Sequence, residues 1–254
     1  MVKIHDWVCN PGEVSAVAAR RSVEGERALG PNGDHGAPSR QFRPRRRRAL
    51  DFLTFPVRAA IVLQRDVLGF SSLRSERFDY VAREVRGTAL DVGCGPDNLF
   101  VRDWLDSNGA GIDVFAYDGL SSDQLVDDKK PRFPFADATF DTVTFIASLN
   151  HVPRALRDRE LAEAYRVLGP GGNVVVTMGT RLAETAVHRL VHLYSRLGTH
   201  RDLDHERGMH DEEDYCISSG EIVTRLAEAG FVAIRRRRFA TQWGLNRLFT
   251  GERA

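Results

Sequence analysis

The segment Ala89-Leu90-Asp91-Val92-Gly93-Cys94-Gly95-Pro96 joins a short apolar strand, which contains one acidic residue, to a turn with two glycines. Gly93 and Gly95 allow the backbone to turn sharply and to approach a ligand closely, because no Cβ stands in the way. In an open α/β sheet, ligands bind at the carboxyl ends of the strands, which is where this turn would lie. The segment therefore predicts a site for a nucleotide-type cofactor.

The same segment argues against a dinucleotide cofactor. A pyrophosphate requires the pattern G-x-G-x-x-G at the N-terminus of a helix, whereas position 98 is Asn in this chain. The carboxylate of Asp91 would also repel a phosphate. A cofactor with a cationic group suits this turn better.

Four segments resemble, in their order along the chain, the class I S-adenosylmethionine-dependent methyltransferases that act on small molecules. They are Ala89 to Gly95, Gly111-Ile112-Asp113-Val114, Phe133 to Asp141, and Leu161 to Val167 followed by Leu168-Gly169-Pro170-Gly171-Gly172. The resemblance extends from about Phe78 to Phe249. The chain departs from the family at Asp97, where a third glycine is usual.

This resemblance implies an α/β protein with the Rossmann-like methyltransferase fold. Its sheet is mostly parallel and seven-stranded, with helices on both faces and an antiparallel C-terminal hairpin. The residue pattern independently predicts alternating elements, which favour such a sheet. The predicted strands lie over 88–92, 111–115, 125–127, 141–148, 173–178, 231–234 and 245–249, and the predicted helices lie over 98–107, 154–168 and 221–229.

The resemblance also implies S-adenosyl-L-methionine as the cofactor and a set of residues that bind it. Asp113 would accept hydrogen bonds from both ribose hydroxyls, although Asp118 is an alternative if the second strand is longer. Asp128, or its neighbour Asp127, would receive the adenine amino group. The complete predicted set is Asp91, Gly93, Cys94, Gly95, Asp113, Asp128, Ser148 and Leu149.

His151 is the predicted catalytic residue. It follows the strand whose end faces the transferred methyl group in the resembled family, and an imidazole is suited to act as a general base near neutral pH. The alternative is that it hydrogen-bonds the cofactor or caps the next helix. Asn150 would contact the substrate, and the absence of an Asn-Pro-Pro-aromatic sequence there disfavours DNA and adenine-N6 as acceptors.

An insertion over 179–216 is predicted to form a lid over the substrate. Arg207, His210 and Tyr215 would contact the acceptor there, together with Trp243 from the C-terminal hairpin. The insertion is rich in histidine and carboxylate side chains, which are ligands for divalent metals. It has no H-E-x-x-H pattern, so we expect no metal.

Composition limits the chain to one catalytic domain. With 254 residues, of which 42% are hydrophobic and 28% charged, it can bury one sizeable core. A net charge of +1 provides no overall field that would attract nucleic acid. The three cysteines are far apart in sequence and the apolar runs are too short to span a bilayer, so we expect a cytoplasmic protein.

Residues 1–48 are expected to form a disordered basic tail that ends in an arginine run, because little apolar surface is available to bury. Residues 49–254 would form the methyltransferase domain. Its N-terminal helices would lie within 50–86, the first over Val57 to Leu68 and the second capped by Ser71 or Ser72.

The expected partner is a small-molecule acceptor, with no DNA and no membrane, and the protein would be a monomer or homodimer. RNA is disfavoured as a partner, but an RNA methyltransferase that uses the arginine runs to contact phosphates is one alternative function. A cofactor-binding protein without transferase activity is the other.

Overall fold

The computed structural model describes residues 45–60, 66, 70–117, 120–127, 132–180, 182–183 and 217–254. Within these ranges no helix is long and apolar enough to cross a membrane. The helices are α1 (Arg45–Ala60), α2 (Leu73–Ala82), α3 (Leu99–Trp104), α4 (Arg157–Val167) and α5 (Ser219–Glu228). The strands are β1 (Ala89–Val92), β2 (Gly109–Ile112), β3 (Phe140–Ile146), β4 (Leu168–Gly179), β5 (Val232–Arg238) and β6 (Asn246–Glu252).

The strands form one mixed sheet in the order β2-β1-β3-β4-β6-β5. The first four are parallel, whereas β6 is antiparallel to both β4 and β5. The predicted fold class is therefore confirmed, including the C-terminal hairpin. The predicted count of seven strands is not confirmed, because the described residues form six strands and the segment expected at 125–127 contributes one parallel bridge between Asp113 and Leu125.

Helices cover both faces of the sheet, as predicted. On one face, α4 and α5 pack against apolar side chains such as Leu90, Val143 and Val174. On the other face, α2 and α3 pack against Ala89 and Val175, which alternate with the first set along the same strands. Strands that are buried on both faces are typical of parallel sheets in α/β proteins.

The N-terminal helices differ in part from the prediction. Ser72 caps α2 by accepting a hydrogen bond from the backbone N–H of Ser75 at 3.0 Å, which decides between the two serines. However, α1 begins at Arg45 rather than near Val57, so the last residues of the predicted tail are helical. Arginine is a good helix former, and this run contains no residue that stops a helix.

The arginines Arg235 to Arg238 lie within β5, at the edge of the sheet, and are exposed. One of them, Arg237, donates a hydrogen bond to the carboxylate of Glu84. Charged side chains on an edge strand discourage pairing with other chains. The arginine run thus lies where it can protect the exposed edge of the sheet.

Arg247 of β6 connects the two ends of the inserted segment. Its guanidinium donates to the carbonyl of Gly179 at the end of β4, and to the carbonyl of Ile217 at 3.2 Å. It also donates to Ser219 Oγ at 2.7 Å, at the start of α5. The buried side chain of Arg247 therefore holds both flanks of the insertion against β6.

Candidate functional site

The turn after β1 has a backbone that favours glycine at two positions. Gly93 and Gly95 have φ values of 75° and 67°, in the left-handed region where a Cβ is unfavourable. The N–H of Gly93 donates to the carbonyl of Ile112 at 2.8 Å, which fixes the turn against β2. A Cβ on Gly93 would lie 2.4 Å from Ser148 Cβ, whereas a Cβ on Gly95 would meet no atom within 4 Å. The turn is therefore tightly packed beneath Gly93 and open above Gly95.

Asp113 lies directly after β2, where the sequence placed it, and its carboxylate is buried. Its Oδ2 accepts a hydrogen bond from the N–H of Gly95 at 2.9 Å, and its Oδ1 accepts one from Phe115 at 3.1 Å. Each carboxylate oxygen has two acceptor positions, so capacity for two hydroxyl donors remains. One side chain thus joins the glycine turn to the loop after β2.

Asp91 lies in β1 beneath the turn, with only 2% of its surface exposed. The pKa of its carboxyl is raised to about 7, mainly by burial; a hydrogen bond from Thr144 Oγ1 at 2.6 Å opposes the shift, and the charge of nearby Asp113 adds to it. A cation bound nearby would favour the ionised form and lower this pKa. The environment of Asp91 is therefore suited to a ligand that carries positive charge.

The loop after β3 lies beside the glycine turn. Ser148 Oγ donates to the carbonyl of Val92 at 2.6 Å, which attaches this loop to the end of β1. The N–H of His151 donates to the carbonyl of Ser148 at 2.9 Å, while Leu149 and Asn150 are buried. The predicted residues on β1 and on the β3 loop are thus brought together at one end of the sheet.

Arg157 is a part of this region that the sequence prediction missed. It is the first residue of α4, it is buried, and its Nε donates to the carbonyl of Val152 at 2.9 Å. Its Nη2 donates to the carbonyl of Asn150 at 3.4 Å, and its Nη1 lies 3.8 Å from a carboxylate oxygen of Glu221. A cation in the first turn of a helix opposes the helix dipole, and this is the one sequence signal that could have drawn attention to Arg157.

Two aromatic residues that follow Asp113 in the chain were also absent from the predicted set of site residues. The rings of Phe115 and Tyr117 are 5.8 Å apart, and Phe115 is exposed. Burial, together with the charge of Asp113, raises the pKa of Tyr117.

In the turn after β1, burial likewise raises the pKa of the Cys94 thiol, so this cysteine remains protonated.

Trp243 does not contact the β1 and β3 loops through any of its observed interactions. It lies in the turn between β5 and β6, and its Nε1 donates to the backbone carbonyl of Phe52 on α1 at 3.0 Å. Its ring packs against Phe55 with the ring centroids 5.7 Å apart. The predicted role of Trp243 in acceptor binding therefore stays a prediction.

The other predicted residues lie outside the described part of the chain: Asp118, Asp128, Arg207, His210 and Tyr215. Asp127, the alternative to Asp128, is described and exposed. No group of three or more potential metal ligands occurs among the residues that the structure describes. The metal prediction for the insertion concerns residues outside that part.

The family model and the relatives that match this chain are all methyltransferases. A family model described as a methyltransferase domain matches residues 65–235, about two thirds of the chain. The chain is 34% identical over 128 residues to the ubiquinone/menaquinone biosynthesis C-methyltransferase UbiE of Desulfotalea psychrophila, covering 45% of this chain and 50% of that protein. It is 33% identical over 133 residues to the demethylmenaquinone methyltransferase of Beutenbergia cavernae, covering 39% of this chain and 55% of that protein.

The chain thus spans about half the length of the curated relatives it matches. Among solved structures, an S-adenosylmethionine-dependent methyltransferase from Archaeoglobus fulgidus is similar with a TM-score of 0.50 and 9% identity. That match covers 72% of this chain and 95% of the other. At such low identity the likeness concerns the fold alone.

Proposed function

Because this chain belongs to the class I S-adenosylmethionine-dependent methyltransferase family, we propose that it methylates a carbon atom of a small, quinone-related metabolite. S-adenosylmethionine is the cofactor, and it supplies a methyl group attached to a positively charged sulfur. One observation carries the proposal: the open space above Gly95 adjoins the buried carboxylate of Asp113. The acceptor class is supported by the two curated relatives: the name of the first gives a C-methyltransferase of quinone biosynthesis, and that of the second gives demethylmenaquinone.

The residues at the end of β1 and β2 would hold the cofactor. Asp113 would accept the two ribose hydroxyls, because it is already oriented by two backbone N–H groups. The glycine turn would lie along the cofactor with Cys94 acting through its backbone. Asp91 would favour the cationic end, which is consistent with its raised pKa in the free protein. Asp128 remains the predicted adenine contact.

The loop after β3 would hold the acceptor beside the methyl group. Ser148 and Leu149 would line the cofactor side, and Asn150 the acceptor side. Methyl transfer is an in-line displacement, so most of the rate gain comes from alignment in a site that excludes water. A carbon acceptor must also lose a proton, and His151 would accept it as general base.

The predicted insertion residues would complete the acceptor side. Arg207, His210 and Tyr215 are the proposed contacts, because the insertion begins at the carboxyl end of β4, on the edge of the sheet where the β1 and β3 loops also lie. The partner is then a small molecule rather than a nucleic acid.

Cofactor binding is tested with the substitution Asp113→Ala. Loss of hydrogen bonds to a charged group should weaken binding by about 1.5–3 kcal/mol, which is tenfold or more. The measurement is isothermal titration with S-adenosylmethionine. Asp123→Ala is the matched control, because Asp123 is exposed in the next loop. Equal affinities of the two variants would remove Asp113 from the cofactor site.

Acceptor turnover is tested with a demethylated quinone analogue and detection of the demethylated cofactor and methylated product. His151→Ala should lower turnover by about 10²–10⁴-fold while cofactor affinity stays unchanged. If turnover by this variant is normal, His151 is not the base. If the wild-type protein binds the cofactor but methylates no quinone analogue, the acceptor class is wrong.

A further inference from the structure

Helix α1 places its charged side chains inward. Asp51 and Arg58 have only 2% and 1% of their surface exposed. Arg58 Nη1 donates to Glu76 Oε2 at 3.1 Å and to the carbonyl of Ser71 at 2.9 Å, so the helix is held to α2 by polar contacts. Charged residues are rarely buried in this way. The inward face of α1 is thus the more polar of its two faces.

The outward face of α1 is apolar. Leu50, Leu53 and Val57 follow one another at i, i+3 and i+7, which places them in one stripe. Leu53 is 72% exposed and Val57 is 64% exposed. A second exposed stripe beside it consists of Ala49, Phe52 and Pro56. Neither stripe contains a carboxylate, and a continuous apolar patch of this kind marks an interaction site.

Trp243 extends this patch beyond the helix. Its ring lies 6.2 Å from that of Phe52, and 54% of its surface is exposed. We refer to Leu50, Phe52, Leu53, Val57 and Trp243 as the α1 face. Their exposed parts amount to roughly 500 Å², which is less than the ~800 Å² per partner of a standard stable protein interface. The α1 face alone is therefore too small for a stable dimer.

Arginines occur at the N-terminal end of α1. The first turn of α1 contains Arg45 to Arg48 and no acidic residue. Arg48 lies over the ring of Tyr80, with 5.4 Å between its Cζ and the ring centroid. Burial and the guanidinium groups of Arg48 and Arg237 lower the pKa of Arg83, although Asp79 opposes the shift. Three cations thus lie close together, and Glu84 pairs with one of them, Arg237.

We propose that the α1 face docks on the surface of an anionic phospholipid bilayer. An interfacial helix combines Leu, Phe and Trp on its buried side with Arg or Lys beside the headgroups. The α1 face and the adjacent arginines have this composition, in a chain whose net charge is only +1. The helix lies in the interface and does not cross the membrane. The proposal holds whatever the acceptor of the methyl group, and it departs from the sequence-based expectation of no membrane partner.

Sedimentation of the full chain with lipid vesicles tests this proposal. The protein should bind vesicles of mixed phosphatidylcholine and phosphatidylglycerol and bind weakly to vesicles of phosphatidylcholine alone. The double variant Leu53→Gln/Val57→Gln should lose at least about tenfold in affinity for the mixed vesicles. Added salt should also weaken the binding. Val223→Gln is the matched control, because Val223 is an exposed apolar residue on α5.

A variant that binds more tightly than the wild type cannot be explained by a loss of folding. Val57→Trp should bind the mixed vesicles more tightly than the wild type, because tryptophan favours the membrane interface. Thermal unfolding should show that all variants are folded. Absence of wild-type binding to mixed vesicles overturns the proposal, as does equal binding by the double variant. A wild-type dimer that the double variant dissociates, without vesicle binding, assigns the α1 face to a second copy and also overturns it.

Discussion

Two loops meet at the carboxyl end of the sheet, and they keep their shapes in different ways. The turn after β1 depends on backbone geometry, with two glycines at positive φ and N–H groups bonded to β2 and to Asp113. The loop after β3 depends on side chains at both ends, since Ser148 ties it to β1 and Arg157 ties it to α4. The first loop is therefore fixed by its own backbone, while the second depends on the packing of the helix that follows it, α4.

The two loops therefore differ in the substitutions that they tolerate. In the turn after β1, a Cβ added at Gly93 would strain the backbone and collide with Ser148. In the loop after β3, individual bonds can be weakened while the strand and helix on either side keep their places. Cofactor binding should therefore be lost abruptly and acceptor alignment should change by degrees.

The largest effect is expected for Gly93→Val. A branched side chain at φ 75° is strained, and its Cβ would lie 2.4 Å from Ser148 Cβ. We expect cofactor binding below detection by isothermal titration and a large loss of stability in urea unfolding. Gly171→Val is the control, because Gly171 has φ 76° with no atom near its Cβ position. Equal damage in both variants would mean that backbone strain alone, and not the packing of the two loops, makes Gly93 necessary.

The next effect is expected for Arg157→Met, which removes the anchor of the loop after β3. The carbonyls of Asn150 and Val152 would lose a charged donor, at a cost of about 3 kcal/mol in the free energy of unfolding. Turnover should fall more than cofactor affinity. Arg159→Met on the exposed side of α4 should change neither. If Arg157→Met lowers cofactor affinity as strongly as Gly93→Val does, the two loops are not independent.

A smaller effect, limited in pH, is expected for Asp91, which connects β1 to Thr144 of β3. Burial raises its pKa in the folded protein to about 7, so the folded state binds this proton more tightly than the unfolded state. The contribution of the Asp91 carboxyl to the free energy of unfolding is fully present below about pH 4. It is lost as the pH rises through about 7, by at most about 1.4 kcal/mol per pH unit. Asp91→Asn should remove this part of the slope in urea unfolding at a series of pH values.

Some dependence of the free energy of unfolding on pH should remain in the Asp91→Asn variant. Burial also raises the pKa of Glu160 on α4 to about 7, with the charge of Glu163 adding to the shift. Glu160→Gln should therefore remove a further part of the slope without changing cofactor affinity. A slope that Asp91→Asn leaves unchanged would show that Asp91 titrates normally.

The smallest effect is expected for Ser148→Ala, which removes one hydrogen bond to the end of β1. The loss should be about 1 kcal/mol in the free energy of unfolding, with turnover reduced several-fold. Ser122→Ala in an exposed turn is the control. A loss as large as that of Arg157→Met would mean that the serine, rather than the arginine, is the main anchor of this loop.

The sequence predicted the first loop well because its determinants are local. Glycines and an acid at fixed spacing are visible in the chain, and the structure places Gly93, Gly95 and Asp113 together. The parallel order of the strands also follows from alternating patterns. The count of seven strands that the same reasoning predicted is not confirmed, because among the described residues 125–127 has only one bridge to the sheet.

The anchors of the second loop were not predictable because their partners are distant in sequence or are backbone atoms. Nothing near Arg157 in the chain shows that its guanidinium reaches back to two carbonyls and across to Glu221. The burial of Asp51 and Arg58 on α1 was not predicted either, for a related reason. The carboxylate of Glu76 that binds Arg58 in the interior lies 18 residues further along the chain.

The contacts of Arg247 with Gly179 and Ile217 have an evolutionary consequence. Because the domain itself holds the two ends together, the sequence between them is not needed to keep the sheet closed. Doubling the length of such a loop adds only about 0.6 kcal/mol in closure entropy. The insertion is in this sense an exchangeable module: replacing it would change the proposed acceptor contacts while Arg247 preserves the junction.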